Sequence, residues 1–504
     1  MSTPPDDSLS RGQLKEMALR GVRWVVFGRV LVELGALVGS VLVARLVSPA
    51  EFGNAAPAAF FFALASGLPS GSFGSPLVQA AELRPAAIRT AFGLSLISGV
   101  VLTALVIALF PLFARAFTPR AAELLALTAP AFVLYSVGAV PQALIQRDLD
   151  FRRSSLNEVA ALLPATLTTI GCAVAGLGGL SIVIGFLVQS AVSSAQAVYW
   201  RRPPRPGLER AAAREILAFG LPASATTMLY MAQRNIGLIV LSARLSPAQV
   251  GFYWRAAQLG IEYQGKVSGI LLRLLFPLLS RARNVEDLRL VRSRMVHVHT
   301  ALLVPLLALL IVIAPLFVPW LYGERWAPAA PAAQLLAIAG FAAVVGTGTG
   351  PLLLAAGKPA AAMRYNAAAL AVFAVVVFVA APYGLTATCA AVAGSRLLNL
   401  VCTQYLLVQR LVGIPLSETL IRDVAPALAG CAALVAVSWP VTAGLERLGV
   451  PDLAVMAAAS AGGLAAYALA LRWIFPAAWR DLAELFGRLA ARRRRAGPTV
   501  RAGS

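Results

Sequence analysis

A short motif occurs twice in the chain and marks an internal repeat. Residues 44–53 read ARLVSPAEFG, and residues 243–251, about 200 positions further on, read ARLSPAQVG. Each copy follows an apolar run, and each contains the proline and glycine that end a helix and permit a tight turn. The copies share A-R-L and then S-P-A-[E/Q]-x-G, with one residue inserted in the first copy. The sequence therefore predicts two structurally equivalent halves.

The composition around this repeat is that of a membrane protein. The 504 residues are 59% hydrophobic and 13% charged, with a mean hydropathy of +0.78. A soluble chain carries roughly 25% charged residues, which cover its water-exposed surface. A soluble enzyme or a soluble nucleic-acid-binding protein is therefore excluded, even though the net charge is +21.

Fourteen apolar segments are long enough to cross a bilayer, which takes about 20 residues per helix. They lie at about 22–45, 54–79, 90–113, 122–145, 156–175, 179–200, 216–241, 249–279, 297–321, 331–355, 365–382, 385–408, 422–443 and 453–474. We therefore predict an all-α polytopic membrane protein with about 14 transmembrane helices. Most Arg and Lys residues fall on the side that holds both termini, so the positive-inside rule makes both termini cytoplasmic.

The repeat divides these spans into two six-helix lobes, a parallel repeat around a central cleft, plus two extra C-terminal helices. The predicted segments are a cytoplasmic N-terminal segment (1–21), an N-lobe (22–200), a cytoplasmic interlobe linker (201–215), a C-lobe (216–408), the extra spans (409–475) and a cytoplasmic tail (476–504). The tail is amphipathic and polybasic, which suits anionic membrane lipids rather than nucleic acid. Residues 67–76, rich in Gly and Pro, predict a kink in the second span.

Several charged or polar residues fall inside the spans, where an ionised group costs about 2.5–3.5 kcal/mol at the bilayer centre. They are Arg29 and Glu33 in the first span, Arg234 and Asn235 in the seventh, Arg255, Glu262, Lys266 and Arg273 in the eighth, and Arg396 in the twelfth. At α-helical spacing the four charges of the eighth span share one face. Spans 1, 7 and 8 would then line one cavity with a net positive charge.

Other interpretations of these charges remain open. The pairs Arg29–Glu33 and Glu262–Lys266 have the spacing of salt bridges that lock helices together. Arg273 lies near the inner end of its span, where it can snorkel to the surface. Arg396 is interpreted as a structural or rim residue.

The chain carries no nucleotide-binding, nucleophile-elbow or zinc-protease motif. We therefore expect no catalytic residues, no metal and no cofactor apart from a coupling H⁺ or Na⁺. A transporter without its own chemistry is favoured over an enzyme.

Five stretches, taken in order along the chain, carry a family resemblance. They lie at 45–53, 143–153, 250–259, 275–281 and 321–326. Together they resemble the polysaccharide and oligosaccharide flippases of the multidrug/oligosaccharidyl-lipid/polysaccharide exporter superfamily, over about residues 15–410.

The resemblance implies that an oligosaccharide on undecaprenyl pyrophosphate is flipped across the bacterial inner membrane by alternating access, for O-antigen, capsule or exopolysaccharide. Arginine suits pyrophosphate oxygens because it binds them bidentately. Pyrophosphate contact is assigned to Arg29, Arg234 and Arg255, with Lys266 next, and coupling-ion binding to Glu33 and Glu262. Expected partners are the lipid-linked oligosaccharide, anionic lipids, and polysaccharide polymerase or export proteins.

Three alternatives remain. A lipid II flippase for peptidoglycan shares the cationic cavity and the span count. A multidrug cation antiporter shares the superfamily fold but requires an acidic cavity. A scaffold subunit of a polysaccharide assembly complex would carry out no transport.

Overall fold

A computed structural model of the protein describes residues 31–80, 82–269 and 285–476, and it is helical across these ranges with no β-strand among them. The helices are α1 (31–46), α2 (Pro49–Pro69), α3 (Ser75–Gln79), α4 (Pro85–Ala108), α5 (Phe110–Ala116), α6 (Pro119–Thr128), α7 (Pro130–Arg147), α8 (Phe151–Val174), α9 (Gly179–Trp200), α10 (Arg210–Ser242), α11 (Pro247–Ala257), α12 (263–269), α13 (Val285–Tyr322), α14 (Ala330–Gly346), α15 (Thr349–Ala355), α16 (Pro359–Ala380), α17 (Leu385–Cys402), α18 (Arg410–Val412), α19 (Leu416–Glu418), α20 (Ala425–Arg447) and α21 (Asp452–Ile474). The predicted segment 1–21 and all but the first residue of the tail 476–504 lie outside the described residues.

Ten helical segments among the described residues are long and apolar enough to cross a bilayer. They coincide with the predicted spans 3 to 6 and 9 to 14, so the predicted all-α, multi-pass membrane class is confirmed. The described parts of the other four spans are also helical, in α1, α2–α3, α10 and α11–α12. The total of fourteen membrane crossings stays a prediction.

The predicted kink in the second span is a π-helical turn at Ser70–Gly74, between α2 and α3. A π turn accommodates one extra residue in a helix and bends it locally. Helix α10 packs against this turn: the hydroxyls of Ser72 and Ser224 share a hydrogen bond. Gly220 allows the approach, because a Cβ there would collide with the carbonyl of Ser72.

The described residues form two compact units, one up to Gly251 and the other from Phe252 onward. The boundary follows α10, whereas the sequence assigns this helix to the start of the C-lobe. The Ser72–Gly220 contact is the physical reason, since it holds α10 against α2 and α3 in the first unit. The division of the sequence into six-helix lobes remains a prediction from the repeat.

The two repeated turns contact each other within the first unit. A Cβ at Gly53 would overlap the carbonyl oxygen of Pro247, and a Cβ at Gly251 would overlap the carbonyl oxygen of Pro49. The contact is reciprocal: the glycine of each copy packs on the proline carbonyl of the other. This is the arrangement that two equivalent motifs make around a pseudo-two-fold axis.

Helix α13 is central to the second unit and packs against α14, α20 and α21. It begins at Val285, about twelve residues before the predicted span at 297–321, because its first turns are charged and escape a hydropathy scan. Those turns are nevertheless partly buried, since Met295 and Val296 are inaccessible to solvent.

Candidate functional site

Arg255 is the most deeply buried of the predicted site residues whose side chains are described, with 5% of its surface exposed. Its Nη1 donates a hydrogen bond to Oε1 of Gln258 at 2.6 Å. Its guanidinium carbon lies 5.4 Å from the ring centroid of Tyr322 and 6.0 Å from that of Trp326. These distances are those of cation–π contacts, which stabilise a charge removed from water.

The aromatic partners come from the last residue of α13, Tyr322, and from the segment that follows it, which contains Trp326. Gly323 adopts a φ of +100°, which turns the chain sharply between Tyr322 and a 3₁₀ helix at Glu324–Ala329. Trp326 is fully buried and meets the ring of Phe252 edge-on, with centroids 6.0 Å apart. The stretches 250–259 and 321–326, both singled out in the sequence, therefore pack together around Arg255.

The charged face predicted for the eighth span is interrupted by a π turn. This turn, Gln258–Glu262, follows Arg255 and ends with Glu262, so Glu262 and Lys266 are rotated away from uninterrupted α-helical register. Lys266 lies over the ring of Tyr263, with its Nζ 5.3 Å from the centroid. Gly260 is responsible for the close packing here, since its backbone lies directly against that of Gly340 in α14.

Arg396 belongs to the same unit and approaches the residues of α11. Tyr253 lies within electrostatic range of both Arg396 and Glu262. The guanidinium carbon of Arg396 lies 4.8 Å from the ring centroid of Phe373 in α16. Arg396 also lines a cavity of about 230 Å³, and its structural or rim role stays a prediction.

The other predicted site residues are distributed as follows. Glu33 lies on α1, partly buried, and Asn235 lies on α10, where its Nδ2 donates to the carbonyl of Met231 at 2.9 Å. Both belong to the first unit, whereas Arg255, Glu262, Lys266 and Arg396 belong to the second. Arg29 and Arg273 lie outside the described residues, and for Arg234 only the backbone position on α10 is described. The single cavity lined by spans 1, 7 and 8 therefore stays a prediction.

A buried polar network in the second unit was missed by the sequence analysis. Arg292 is 2% exposed and donates to Oγ1 of Thr419 at 2.8 Å and to Gln404. Ser293 donates to Oδ1 of Asp423 at 2.5 Å, and Asp423 is 1% exposed. The network joins α13 to two further π-helical turns, Thr403–Gln409 and Thr419–Val424. The sequence does contain one indication that this part of α13 is buried: Leu288, Met295 and His299 are spaced so that they share one helix face.

Among the described residues, no group of three or more His, Cys, Asp or Glu side chains is placed to hold a metal ion.

The sequence pattern of the polysaccharide biosynthesis protein family matches residues 42–331, which is more than half of the chain. The chain belongs to this family. The match includes both copies of the repeated turn and the Arg255 aromatic cluster.

Curated relatives are similar over most of their length. The lipopolysaccharide biosynthesis protein WzxC of Escherichia coli (strain K12) is 27% identical over 358 residues, covering 70% of this chain and 73% of that protein. The teichuronic acid biosynthesis protein TuaB of Bacillus subtilis (strain 168) is 22% identical over 329 residues, covering 63% and 67%.

Solved transporter structures share the fold. The lipid II flippase MurJ in an inward closed conformation superposes with a TM-score of 0.73 at 14% identity, covering 92% of this chain and all of that one. An inward-facing multidrug resistance transporter of the MATE family gives a TM-score of 0.60 at 19% identity, covering 74% and 92%. At these identities the likeness concerns the fold alone.

Proposed function

We propose that this protein flips an undecaprenyl-pyrophosphate-linked oligosaccharide from the inner to the outer leaflet of the bacterial inner membrane. The movement is alternating access, and the product serves surface polysaccharide synthesis, as O-antigen, capsule or exopolysaccharide. Membership of the polysaccharide biosynthesis family supports this role, as does similarity to WzxC, a lipopolysaccharide biosynthesis protein. Both termini are proposed to be cytoplasmic.

One observation carries the proposal beyond family membership: the cation excess inside the second unit. Among the described residues of α11, α12, α17 and the π turn between the first two, the charges in stretches predicted to lie within the membrane are Arg255, Lys266 and Arg396, with Glu262 as the one acid. Cations in hydrocarbon are costly and are retained where an anion has to be accommodated. A pyrophosphate head group is such an anion, and arginine binds its oxygens bidentately.

Roles within this proposal follow the sequence assignments. Arg29, Arg234, Arg255 and Lys266 contact pyrophosphate in the course of transport, with Arg273, Arg396 and Asn235 as secondary contacts. Glu33 and Glu262 are the proposed sites for a coupling H⁺ or Na⁺. Anionic lipids and polysaccharide polymerase or export proteins are the proposed partners.

The rival functions fit these charges less well. A multidrug cation antiporter requires acids where the second unit carries mostly cations. A lipid II flippase would also bind pyrophosphate, but the curated relatives are named for lipopolysaccharide and teichuronic acid biosynthesis. A scaffold subunit would have no use for cations buried in the membrane.

The test is the fate of lipid-linked glycan in cells that carry variants of Arg255. In Arg255→Met the charge is lost while a long side chain is kept, so we expect undecaprenyl-linked glycan to accumulate on the inner leaflet. Arg255→Lys keeps a charge and should accumulate less. The measurement is mass spectrometry of extracted lipid-linked glycan, normalised to the amount of folded protein in the membrane.

Arg325→Ala is the matched control, because Arg325 is exposed in the same turn as the aromatic partners of Arg255. It should behave as wild type. If deletion of the whole gene produced no accumulation of lipid-linked glycan, the flippase proposal would be wrong. Rescue of a strain that lacks its lipid II flippase would instead assign the protein to peptidoglycan synthesis.

A further inference from the structure

The second unit contains a polar cavity of about 230 Å³ between α14, α15, α16 and α17. Part of its lining consists of small residues, Ala342, Ala343, Gly346 and Gly350. The lining also includes four polar residues, Asn366, Arg396, Asn399 and Thr403. A concave space lined by small apolar residues and a few polar groups is typical of a small-ligand site.

Arg396 is held in place without using its full hydrogen-bonding capacity. Its guanidinium stacks on Phe373, and its buried Nε has no hydrogen-bond partner among the described residues. The cavity lining includes this cation and no carboxylate. Because Arg396 brings a positive charge to a lining that holds no carboxylate, an oxyanion in the cavity would be bound favourably.

Asn399 is oriented by its neighbours to present donors. The hydroxyl of Tyr365 donates to Oδ1 of Asn399 at 2.9 Å, and Thr403 donates to that hydroxyl at 3.1 Å. Because Oδ1 is occupied, the Nδ2 amide hydrogens of Asn399 remain to bond a ligand. Arg396 and Asn399 therefore offer donors to one space.

We propose that this cavity binds a single oxyanion-bearing, hydroxyl-rich group, namely a carboxylate or phosphate carried on a sugar-sized polyol. Two sources share that chemistry: an acidic sugar of the transported glycan and the glycerol phosphate of an anionic lipid head group. The volume suits one such group, because sites for larger ligands measure roughly 300–1,000 Å³. This inference deepens the proposed function, on which it rests, by giving the substrate a second contact away from Arg255.

The location agrees with a ligand that enters from the inner leaflet. Leu353 and Ala362 of the lining flank the loop at Lys358, which the charge distribution predicts to be cytoplasmic. Gly350 and Asn366 are exposed, which leaves the cavity an open side. The π turn at Thr403–Gln409 begins at the cavity wall, and such turns recur at functional sites.

The experiment measures binding to the full-length protein in phosphatidylcholine nanodiscs. Saturation-transfer NMR is recorded with glucuronate, glucose and glycerol 1-phosphate as separate probes, and native mass spectrometry records retained phosphatidylglycerol. We expect glucuronate, glycerol 1-phosphate or both to bind at least several-fold better than glucose. Arg396→Gln should abolish that preference, whereas Arg396→Lys should keep part of it.

Arg364→Gln is the matched control, since Arg364 is an exposed arginine on α16 outside the cavity lining. It should leave binding unchanged. Preference for glucuronate alone identifies the sugar as the source, while glycerol phosphate binding with retained phosphatidylglycerol identifies the lipid. Equal binding of all three probes, or a preference that survives in Arg396→Gln, overturns the proposal.

Further measurements distinguish loss of ligand binding from loss of folding and from loss of transport. Thermal unfolding of each variant shows whether Arg396→Gln is folded, and Asn399→Leu removes the second donor if it is not. The binding proposal is tested in vitro and the flippase proposal in cells, so each can fail alone. Loss of the binding preference with glycan accumulation in the deletion strain contradicts only the cavity proposal. Binding without glycan accumulation contradicts the flippase proposal.

Discussion

At the scale of single residues, Arg292 is expected to contribute more to stability than any exposed cation of its helix. Arg292→Met removes the partner of Thr419 and Gln404 and leaves Asp423, which lies within electrostatic range, buried without its cation. Leaving a buried polar group without its hydrogen-bond partner costs roughly 1–3 kcal/mol. We expect the free energy of unfolding to fall by about that amount in detergent-based denaturation followed by tryptophan fluorescence.

Arg294→Met supplies the comparison, because Arg294 is exposed on the same turn of α13. A change there should stay within about 0.5 kcal/mol. Equal stability of the two variants would mean that the network around Asp423 contributes nothing to the fold.

Individual site residues were predictable to different degrees. Arg255 stood out because it is a charge in an apolar segment with no acid four residues away. Its aromatic partners come from a stretch about 70 residues later, and only tertiary packing brings the two together. Arg292 was overlooked because a charged helix start has the same composition as a cytoplasmic loop, and only burial distinguishes them.

At the scale of helices and turns, the reciprocal Gly53 and Gly251 contacts set how closely the two repeated turns approach. In Gly53→Ala the new methyl group collides with the carbonyl of Pro247, and in Gly251→Ala with that of Pro49. Backbone atoms cannot rotate away, so each change should cost about 1–3 kcal/mol, as overpacking does elsewhere. Thermal unfolding of the two variants in nanodiscs measures the loss.

Gly444→Ala is the control for these glycines, since no atom of another residue lies within contact distance of a Cβ there. In a helix such a change is neutral or stabilises by about 0.4–1 kcal/mol. If Gly53→Ala and Gly251→Ala unfolded at the same temperature as Gly444→Ala, the close contact of the turns would not exist in the folded protein.

The positions of the helices were easier to predict from the sequence than the π-helical turns that interrupt them. Hydropathy located the ten predicted spans whose described helices are long and apolar enough to cross a bilayer, because about 20 apolar residues in a row leave few alternatives. The π turn at Ser70–Gly74 was predicted as a kink from its two glycines and from Pro69 and Pro76, which flank it. The π turn at Gln258–Glu262 contains one glycine, and its cause is the approach of α14 at Gly340, which no local pattern reveals. For this reason the predicted charged stripe of the eighth span lost its register.

At the scale of the whole molecule, the repeat in sequence and the compact units in space divide the chain differently. The repeat begins a new half before α10, while contacts keep α10 with the first unit. The repeat shows which segments of the two halves are equivalent. It does not determine which helices pack together, because that depends on small residues such as Gly220 that lie outside the repeated motif.

The membrane topology is the property that tests the whole arrangement, because one miscounted span inverts every loop after it. Fourteen crossings place Leu208 and Lys358 in the cytoplasm and Tyr383 and Leu448 outside. In a variant whose native cysteines are replaced, single cysteines at Tyr383 and Leu448, both largely exposed, should react with an impermeant maleimide in intact cells. Cysteines at Leu208 and Lys358 should react only after permeabilisation, since the basic loops that contain them face inward. If cysteines at positions 208 and 383 were labelled from the same side, the number of crossings between these positions would be even rather than odd. The cytoplasmic placement of at least one terminus would then be wrong.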